Sequence, residues 1–252
     1  MKNRALAIVG TASNVGKSSI AAAIMNYYSA KGFTVVPFKA LNVTSNIGFS
    51  KENLPMAQSQ IWQAYACNVE ASIYFNPILI KPTSKAMEMY LNGHLVVRDY
   101  DNLLLEECIS GYNKLNNEND LVVIEGSGSC VELNLKEKDL ANFPLINKIG
   151  VPTLLVTNIE NCGVFASLYG TISLLNEKER SLIKGIIINK YCGAVEYFND
   201  AKKIIEEITE KPVIGIVSLD DNSSNIEEMW QKIIKGIDMK KLHTIIMEGY
   251  DV

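Results

Sequence analysis

Histidine is scarce in this sequence, at two residues in 252, and the five cysteines (Cys67, Cys108, Cys130, Cys162, Cys192) are scattered without a C-x-x-C pair. That spacing argues against a zinc site and against a disulfide framework, and points to reduced thiols. Basic clusters and aromatic-interleaved basic patches are also missing. With a formal net charge of −4, non-specific nucleic-acid binding is disfavoured. No apolar run approaches the roughly 20 residues that cross a bilayer. No signal peptide is evident, because Met1–Arg4 leads straight into an apolar run. A cytoplasmic chain is therefore expected, with neither membrane nor nucleic acid among its partners. No linker, repeat or low-complexity tract divides it.

What is present is ordinary for a globular α/β chain: 48% hydrophobic and 21% charged residues. One domain is expected over residues 1–238, followed by a tail, 239–252, that either frays or packs. The chain is organised around Ala7-Ile8-Val9-Gly10-Thr11-Ala12-Ser13-Asn14-Val15-Gly16-Lys17-Ser18-Ser19. Ala5–Val9 reads as a buried strand, and Ser18–Ala30 as a helix whose apolar face runs through Ile20, Ala23, Ile24 and Tyr27. Strand, small-residue loop, Gly-Lys-Ser and helix make a phosphate-binding loop. Its backbone N–H groups face the phosphates, the lysine neutralises β/γ charge and the serine hydroxyl reaches Mg²⁺. The usual spacing places the first glycine at Thr11, whereas Gly10 lies one residue further out, so the loop is a variant.

The chain then reads in order. Phe33–Phe38 is a strand that carries Lys39 to the ligand edge of a parallel sheet. Residues 41–55 are polar and turn-rich and read as a loop over the site. Met56–Asn68 has helical character, with Ala57, Ile61, Ala64 and Tyr65 apolar and Gln58, Gln60 and Gln63 polar. Asn76–Pro82 contains a short strand, and Met89–Val97 a hairpin turning at Asn92-Gly93. Asp99–Leu115 is an amphipathic helix and Asn116–Asp120 a solvated linker. Strands at Thr153–Val156, Ile183–Ile188 and Val213–Val217 alternate with helices near Lys138–Ile149, Val164–Leu175, Val195–Thr209 and Asn225–Ile237. That alternation predicts a mostly parallel sheet with helices on both faces.

Leu121-Val122-Val123-Ile124-Glu125-Gly126-Ser127-Gly128 is the second informative stretch. A buried strand ending in an acid and glycines places Glu125 as a Mg²⁺ ligand, directly or through water, beside Ser18. Asn189-Lys190-Tyr191-Cys192 ends a later strand. A guanine-reading Asn-Lys-x-Asp needs a carboxylate where Cys192 stands; Asn189 retains an amide for an adenine edge, so ATP is favoured over GTP.

Taken together, these motifs resemble the N-terminal synthetase domain of the cobyric acid synthases, which is similar in turn to dethiobiotin synthetase. The resemblance runs through Gly10–Ser18, Pro37-Phe38-Lys39-Ala40, Asn76–Thr83, Val123–Ser129, Glu132-Leu133-Asn134-Leu135, Gly163–Thr171 and Ile187–Lys190. It implies a P-loop fold of the dethiobiotin synthetase-like type. It also implies an ATP-dependent ligase that phosphorylates a carboxylate and lets ammonia displace the phosphate. Thr11, Ser13, Asn14, Val15, Gly16, Lys17, Ser18, Ser19 and Asn189 would bind the nucleotide. Lys17, Lys39 and Glu125 would be catalytic, and Ser18 and Glu125 would hold Mg²⁺. Lys39, Asn42, Asn46, Ser127, Gly128, Glu132 and Asn134 would face a corrinoid-like carboxylate.

The departures lie in the loops. Leu41-Asn42 stands for the family's Gln-Asn, and Asn53-Leu54-Pro55-Met56 for its Glu-Ile-Gly-Arg, leaving Glu52 as the neighbouring acid for Mg²⁺. Asn158–Gly163 replaces an Asp-x-Asp-Arg-Gly-Gly, and Cys192-Gly193-Ala194 an Arg-Gly-Asp. Met56, Asn161 and Cys192 thus occupy arginine positions, and none of them reproduces a planar guanidinium fork. The family's glutaminase domain is not expected within this chain, so ammonia would arrive free or from a separate glutaminase chain. Two other readings stay open: a dethiobiotin synthetase-like enzyme closing a diamine and CO₂ to a cyclic urea, and a partitioning-type nucleotide switch. A homodimer is compatible with the resemblance.

Overall fold

The apolar run at the start of the chain forms the centre of the molecule. The computed structural model describes residues 3–84, 86–96, 103–135, 139–160, 162–219, 223 and 225–248. In it, strand β1 (Arg4–Gly10) is buried from Ala5 onward. Its side chains alternate between two cores, Ala5, Ala7 and Val9 entering one and Leu6 and Ile8 the other. Period-two alternation with both faces apolar is what a central strand between two helical layers requires.

Helix α1 (Lys17–Ala30) and strand β2 (Val35–Phe38) come next, then three short strands, β3 (Leu41–Val43), β4 (Ile47–Phe49) and β5 (Pro55–Ala57). Helix α2 (Gln58–Ala66) and a 3-10 turn lead to β6 (Ile78–Pro82), β7 (Met87–Leu91) and β8 (His94–Val96). The chain continues through α3 (Leu104–Glu118), β9 (Leu121–Glu125), α4 (Phe143–Ile149), β10 (Thr153–Asn158), α5 (Val164–Leu174) and α6 (Glu177–Leu182). It closes with β11 (Ile183–Tyr191), α7 (Asn199–Thr209), β12 (Val213–Ser218), α8 (Ile226–Lys235) and α9 (Met239–Glu248).

The main sheet has the order β12-β11-β10-β1-β9-β2, and every pairing in it is parallel. After β1 the chain crosses to β2 and β9 on one side, and later to β10 on the other. The C-terminal ends of β1 and its neighbours thus flank a topological switch point, where such sheets bind ligands. A smaller sheet, β3-β6-β7-β8, and the β4-β5 pair lie outside it. The mostly parallel α/β architecture matches the sequence expectation.

Several local expectations need correction. Residues 41–55 are not one loop: β3 pairs with β6, Leu41 opposite Ile78, and β4 with β5, Ile47 opposite Ala57. For β3 the partner comes from far along the chain, which local polarity does not reveal. The helix expected from Lys138 starts at Phe143, with residues 136–138 outside the described set. Asp139 accepts from the N–H groups of Ala141 and Asn142, a turn that competes with helix. Helix α3 runs on to Glu118, shortening the expected linker. The expected Val195–Thr209 helix splits into a 3-10 turn and α7. Helix α6, not anticipated, is started by a capping box in which Asn176 and Glu179 cap each other.

The described part of the tail, Met239–Glu248, packs, and residues 249–252 lie outside the described residues. Helix α9 buries Leu242 and Ile246 completely in the core shared by α1 and α8. Among the described residues, no helix is long and apolar enough to cross a membrane. Leu242→Ala is expected to lower the unfolding free energy in urea by about 2–5 kcal/mol; a loss below about 1 kcal/mol would remove α9 from the cooperative unit. Burial pushes the Cys108 and Cys130 thiols up to about 12, whereas Cys162 and Cys192 are exposed. Iodoacetamide should therefore label Cys162 and Cys192 in the native protein, with Cys67, Cys108 and Cys130 reacting only after denaturation, as read by peptide mass spectrometry.

Candidate active site

The phosphate loop is built by pinning a short, flexible sequence to two strands and to the loop that follows a third. Thr11 donates its N–H to the Val156 carbonyl (3.0 Å) and its hydroxyl to Thr157 Oγ1 (3.1 Å), which fixes the loop entrance to β10. Cys130 N–H donates to the Gly10 carbonyl (3.0 Å), tying in the loop that follows β9. At the exit, Asn189 Nδ2 on β11 donates to the Val15 carbonyl (2.9 Å). Asn14 and Gly16 adopt left-handed backbone, with φ of 60° and 95°. A Cβ on Gly16 would collide with Asn189 Nδ2, so glycine is required there on two counts.

This packing assigns roles the sequence could not separate. Thr11, Val15 and Asn189 shape the loop: Val15 is buried in the apolar core, and Asn189 donates one of its two amide N–H groups to the loop. Ser13, Asn14, Gly16, Lys17, Ser18 and Ser19 line a cavity of about 500 Å³. Lys39, Asn42, Glu125, Ser127 and Gly128 form its other walls.

Glu125, at the end of β9, is only 2% exposed and is the hub of the polar contacts. Its Oε1 accepts from Lys39 Nζ at 2.7 Å and from the Ser18 hydroxyl at 2.8 Å, while Oε2 accepts from Gln63 Nε2 at 2.5 Å. Three segments distant in sequence thus meet on one carboxylate. A buried charge is tolerated only when paired and hydrogen-bonded in this way. Lys17 Nζ donates to the carbonyls of Ala12 (2.9 Å) and Gly128 (2.6 Å). Burial holds the Lys17 amine below the usual lysine range; the Glu125 charge opposes that and the Lys39 charge adds to it.

The loop after β9 has its own support. Asn142 Nδ2 donates to the Ser127 carbonyl (2.7 Å) and to Asp139 Oδ2 (2.8 Å). Burial raises the Asp139 carboxyl above its ordinary value, with hydrogen bonds from Asn142 and Ala141 acting the other way.

Other sequence candidates lie elsewhere. Glu52 accepts from the Ser72 hydroxyl (2.9 Å) and the Ile73 N–H (3.1 Å) and borders a different cavity with Lys114, so it does not join Ser18 and Glu125. Asn46, Glu132 and Asn134 are exposed and do not line the Lys17 cavity. Conversely, Lys190 lines it from a left-handed backbone position, paired with Glu160 at 2.8 Å. Gln60 and Gln63, which read as the polar face of their helix, are 0% and 1% exposed, whereas Tyr65, read as apolar, is 59% exposed. A buried glutamine and a solvated one look alike in a helical pattern; only the position of Glu125 distinguishes them.

The Lys39–Glu125 pair yields a direct test. Lys39→Met is expected to lower stability in urea by about 3–5 kcal/mol, because it leaves a buried carboxylate uncompensated. Adding Glu125→Gln should restore more than half of that loss; additive effects of the two changes would exclude the coupling.

Comparison with known proteins places this geometry. A family model described as an AAA domain matches residues 4–227. Cobyric acid synthase of Clostridium perfringens (strain SM101 / Type A) is 41% identical over 252 residues, covering 95% of this chain and 52% of that protein. Probable cobyric acid synthase of Methanocaldococcus jannaschii is 41% identical over 226 residues, covering 85% of this chain and 45% of that protein. The chain thus spans about half the length of the curated relatives it matches. Among solved structures, chloroplast FtsY from Physcomitrella patens aligns with a TM-score of 0.51 at 12% identity, over 92% of this chain and 65% of that one; that likeness concerns the fold alone. With a pinned phosphate loop at the switch point of a parallel sheet and nearly its whole length matched by the family model, the chain belongs to the AAA domain family.

Proposed function

We propose that the chain is an ATP- and Mg²⁺-dependent, carboxylate-activating ligase that forms an amide through an acyl phosphate, acting in cobalamin biosynthesis on a corrinoid-like carboxylate. The observation that carries this reading is the convergence of Lys17, Ser18, Lys39 and Glu125 on one cavity, in a chain whose curated relatives are named cobyric acid synthase.

The residues present fit a hard cation. Ser18 donates its proton to Glu125, which leaves hydroxyl lone pairs for a metal, and the carboxylate adds a second oxygen donor set. When bound, Mg²⁺ supplies charge neutralisation on the phosphate oxygens. The chain's own groups do the rest. The N–H groups of the pinned loop and the N-terminus of α1 receive the phosphates. Lys17 exchanges its two carbonyl partners for phosphate oxygens. Lys39, which shares Glu125 Oε1 with Ser18, screens the repulsion between the γ-phosphate and an incoming carboxylate. The carboxylate oxygen attacks the γ-phosphorus as the bond to ADP breaks. Ammonia then attacks the acyl carbon, phosphate leaves and the nitrogen loses a proton. Positioning and charge account for catalysis of such a transfer. Ammonia arrives free or from a partner glutaminase.

The test is Mg²⁺-dependent ADP release with ATP, ammonia and adenosylcobyrinic acid a,c-diamide, with amide product followed by mass spectrometry. A parallel arm offers 7,8-diaminopelargonate with bicarbonate. Stimulation by the corrinoid is the expected result, and stimulation by the diamine alone would replace this reading with ring-closing ligation. Lys17→Ala and Lys39→Ala should each lower kcat by about 10²–10³-fold.

A further inference from the structure

Behind the cavity wall, a row of buried amides leads away from Glu125. Gln63 Nε2 donates to Glu125 Oε2. Gln63 Oε1 accepts from Gln60 Nε2 at 3.3 Å. Gln60 Oε1 in turn accepts from Asn42 Nδ2 at 2.5 Å and from the Ser59 hydroxyl at 2.8 Å. Asn42 Nδ2 also reaches Ser59 Oγ at 3.1 Å. Asn42 sits on β3, beside Lys39 and Glu125 on the cavity wall.

An ionised carboxylate only accepts hydrogen bonds. Glu125 therefore requires the nitrogen of Gln63 to face it. Gln63 must then present its oxygen to Gln60, Gln60 its own oxygen to Asn42, and Asn42 its nitrogen to both Gln60 and Ser59. The direction of every amide is dictated by the charge at one end, because reversing any member would set donor against donor or acceptor against acceptor. At the far end a single group is left over. Asn42 Oδ1 accepts no hydrogen bond among the described residues, and Asn42 is one of the residues that line the cavity.

We infer that Gln63, Gln60 and Asn42 form a one-way amide relay, fixed by Glu125, that makes Asn42 Oδ1 a hydrogen-bond acceptor for an N–H donor in the cavity. The donor is ammonia or a carboxamide N–H of the acceptor substrate. Asn42 thereby becomes a specificity-determining residue, and Gln60 and Gln63 positioning residues that act through it and through Glu125. The N–H donor rests on the amidating reading above; the relay itself does not.

Two kinds of measurement separate those levels. In ¹H–¹⁵N spectra of the ligand-free protein, the side-chain amides of Asn42, Gln60 and Gln63 should exchange slowly with solvent. Gln60→Met, which touches nothing in the cavity, should speed exchange at Asn42 by about tenfold or more while the backbone spectrum is retained. Unchanged exchange at Asn42 would overturn the relay. In steady-state assays, Gln60→Met and Asn42→Ala should raise the KM of one nitrogen donor about tenfold, the size of one hydrogen bond, with the KM of ATP within about twofold. A rise for ammonia alone identifies ammonia, and a rise for the corrinoid alone identifies its carboxamide. If all three KM values rise together, or none does, the assignment is overturned; Asn42→Ala decides the matter should Gln60→Met not fold. If the wild-type protein forms no amide, the proposed function has failed, and ammonium chloride and acetamide serve as probes. Movement of the Asn42 side-chain carbonyl carbon with either supports the acceptor role, and movement with neither overturns it.

Discussion

Everything at the ligand end of this molecule depends on one buried negative charge. The Glu125 carboxylate has almost no access to water, so its charge must be balanced by groups the fold delivers to it. Lys39 arrives from the end of β2, Ser18 from the first turn of α1 and Gln63 from the middle of α2. Removing any one leaves the desolvation of the carboxylate less compensated, and the cost falls on folding as well as on chemistry. The site and the stability of the sheet's ligand edge therefore rest on the same contacts.

The phosphate loop obeys a related constraint. Its sequence is small, polar and partly left-handed, and by itself would sample many conformations. It is held by backbone and amide contacts to β10, to β11 and to the loop that follows β9, which flank β1 on both sides. Thr11, standing where the usual spacing has glycine, donates its hydroxyl to Thr157. The Lys17 amine, parked on the Gly128 carbonyl, ties the loop to the Ser127–Asn142 support.

Reading the sequence went furthest where local pattern and packing agree. The central strands are uniformly apolar because both their faces are covered, and Gly16-Lys17-Ser18 at a strand–helix junction has one economical interpretation. It went least far where side-chain partners come from distant segments. Residues 41–55 looked like a loop because their strand partners are invisible locally. Glu52 looked available because its Ser72 and Ile73 partners lie about 20 residues downstream. Asn189 read as a base contact, and nothing local announced that it also clamps the loop through Val15. Gln60 and Gln63 read only as polar helix positions, for want of any signal that a carboxylate lay beside them.

By itself, then, the sequence determined the parallel α/β architecture, the phosphate loop and the strand-end placement of Lys39 and Glu125. Hydrophobic period, glycine placement and strand–helix alternation are local properties, written in consecutive residues. Only the tertiary structure decided which polar side chains meet. Hydrogen-bond partnership depends on ångström-scale approach between segments separated here by 17 to 174 residues. The buried charge of Glu125 then orders the amides around it, a constraint that exists only once the chain has closed over that carboxylate.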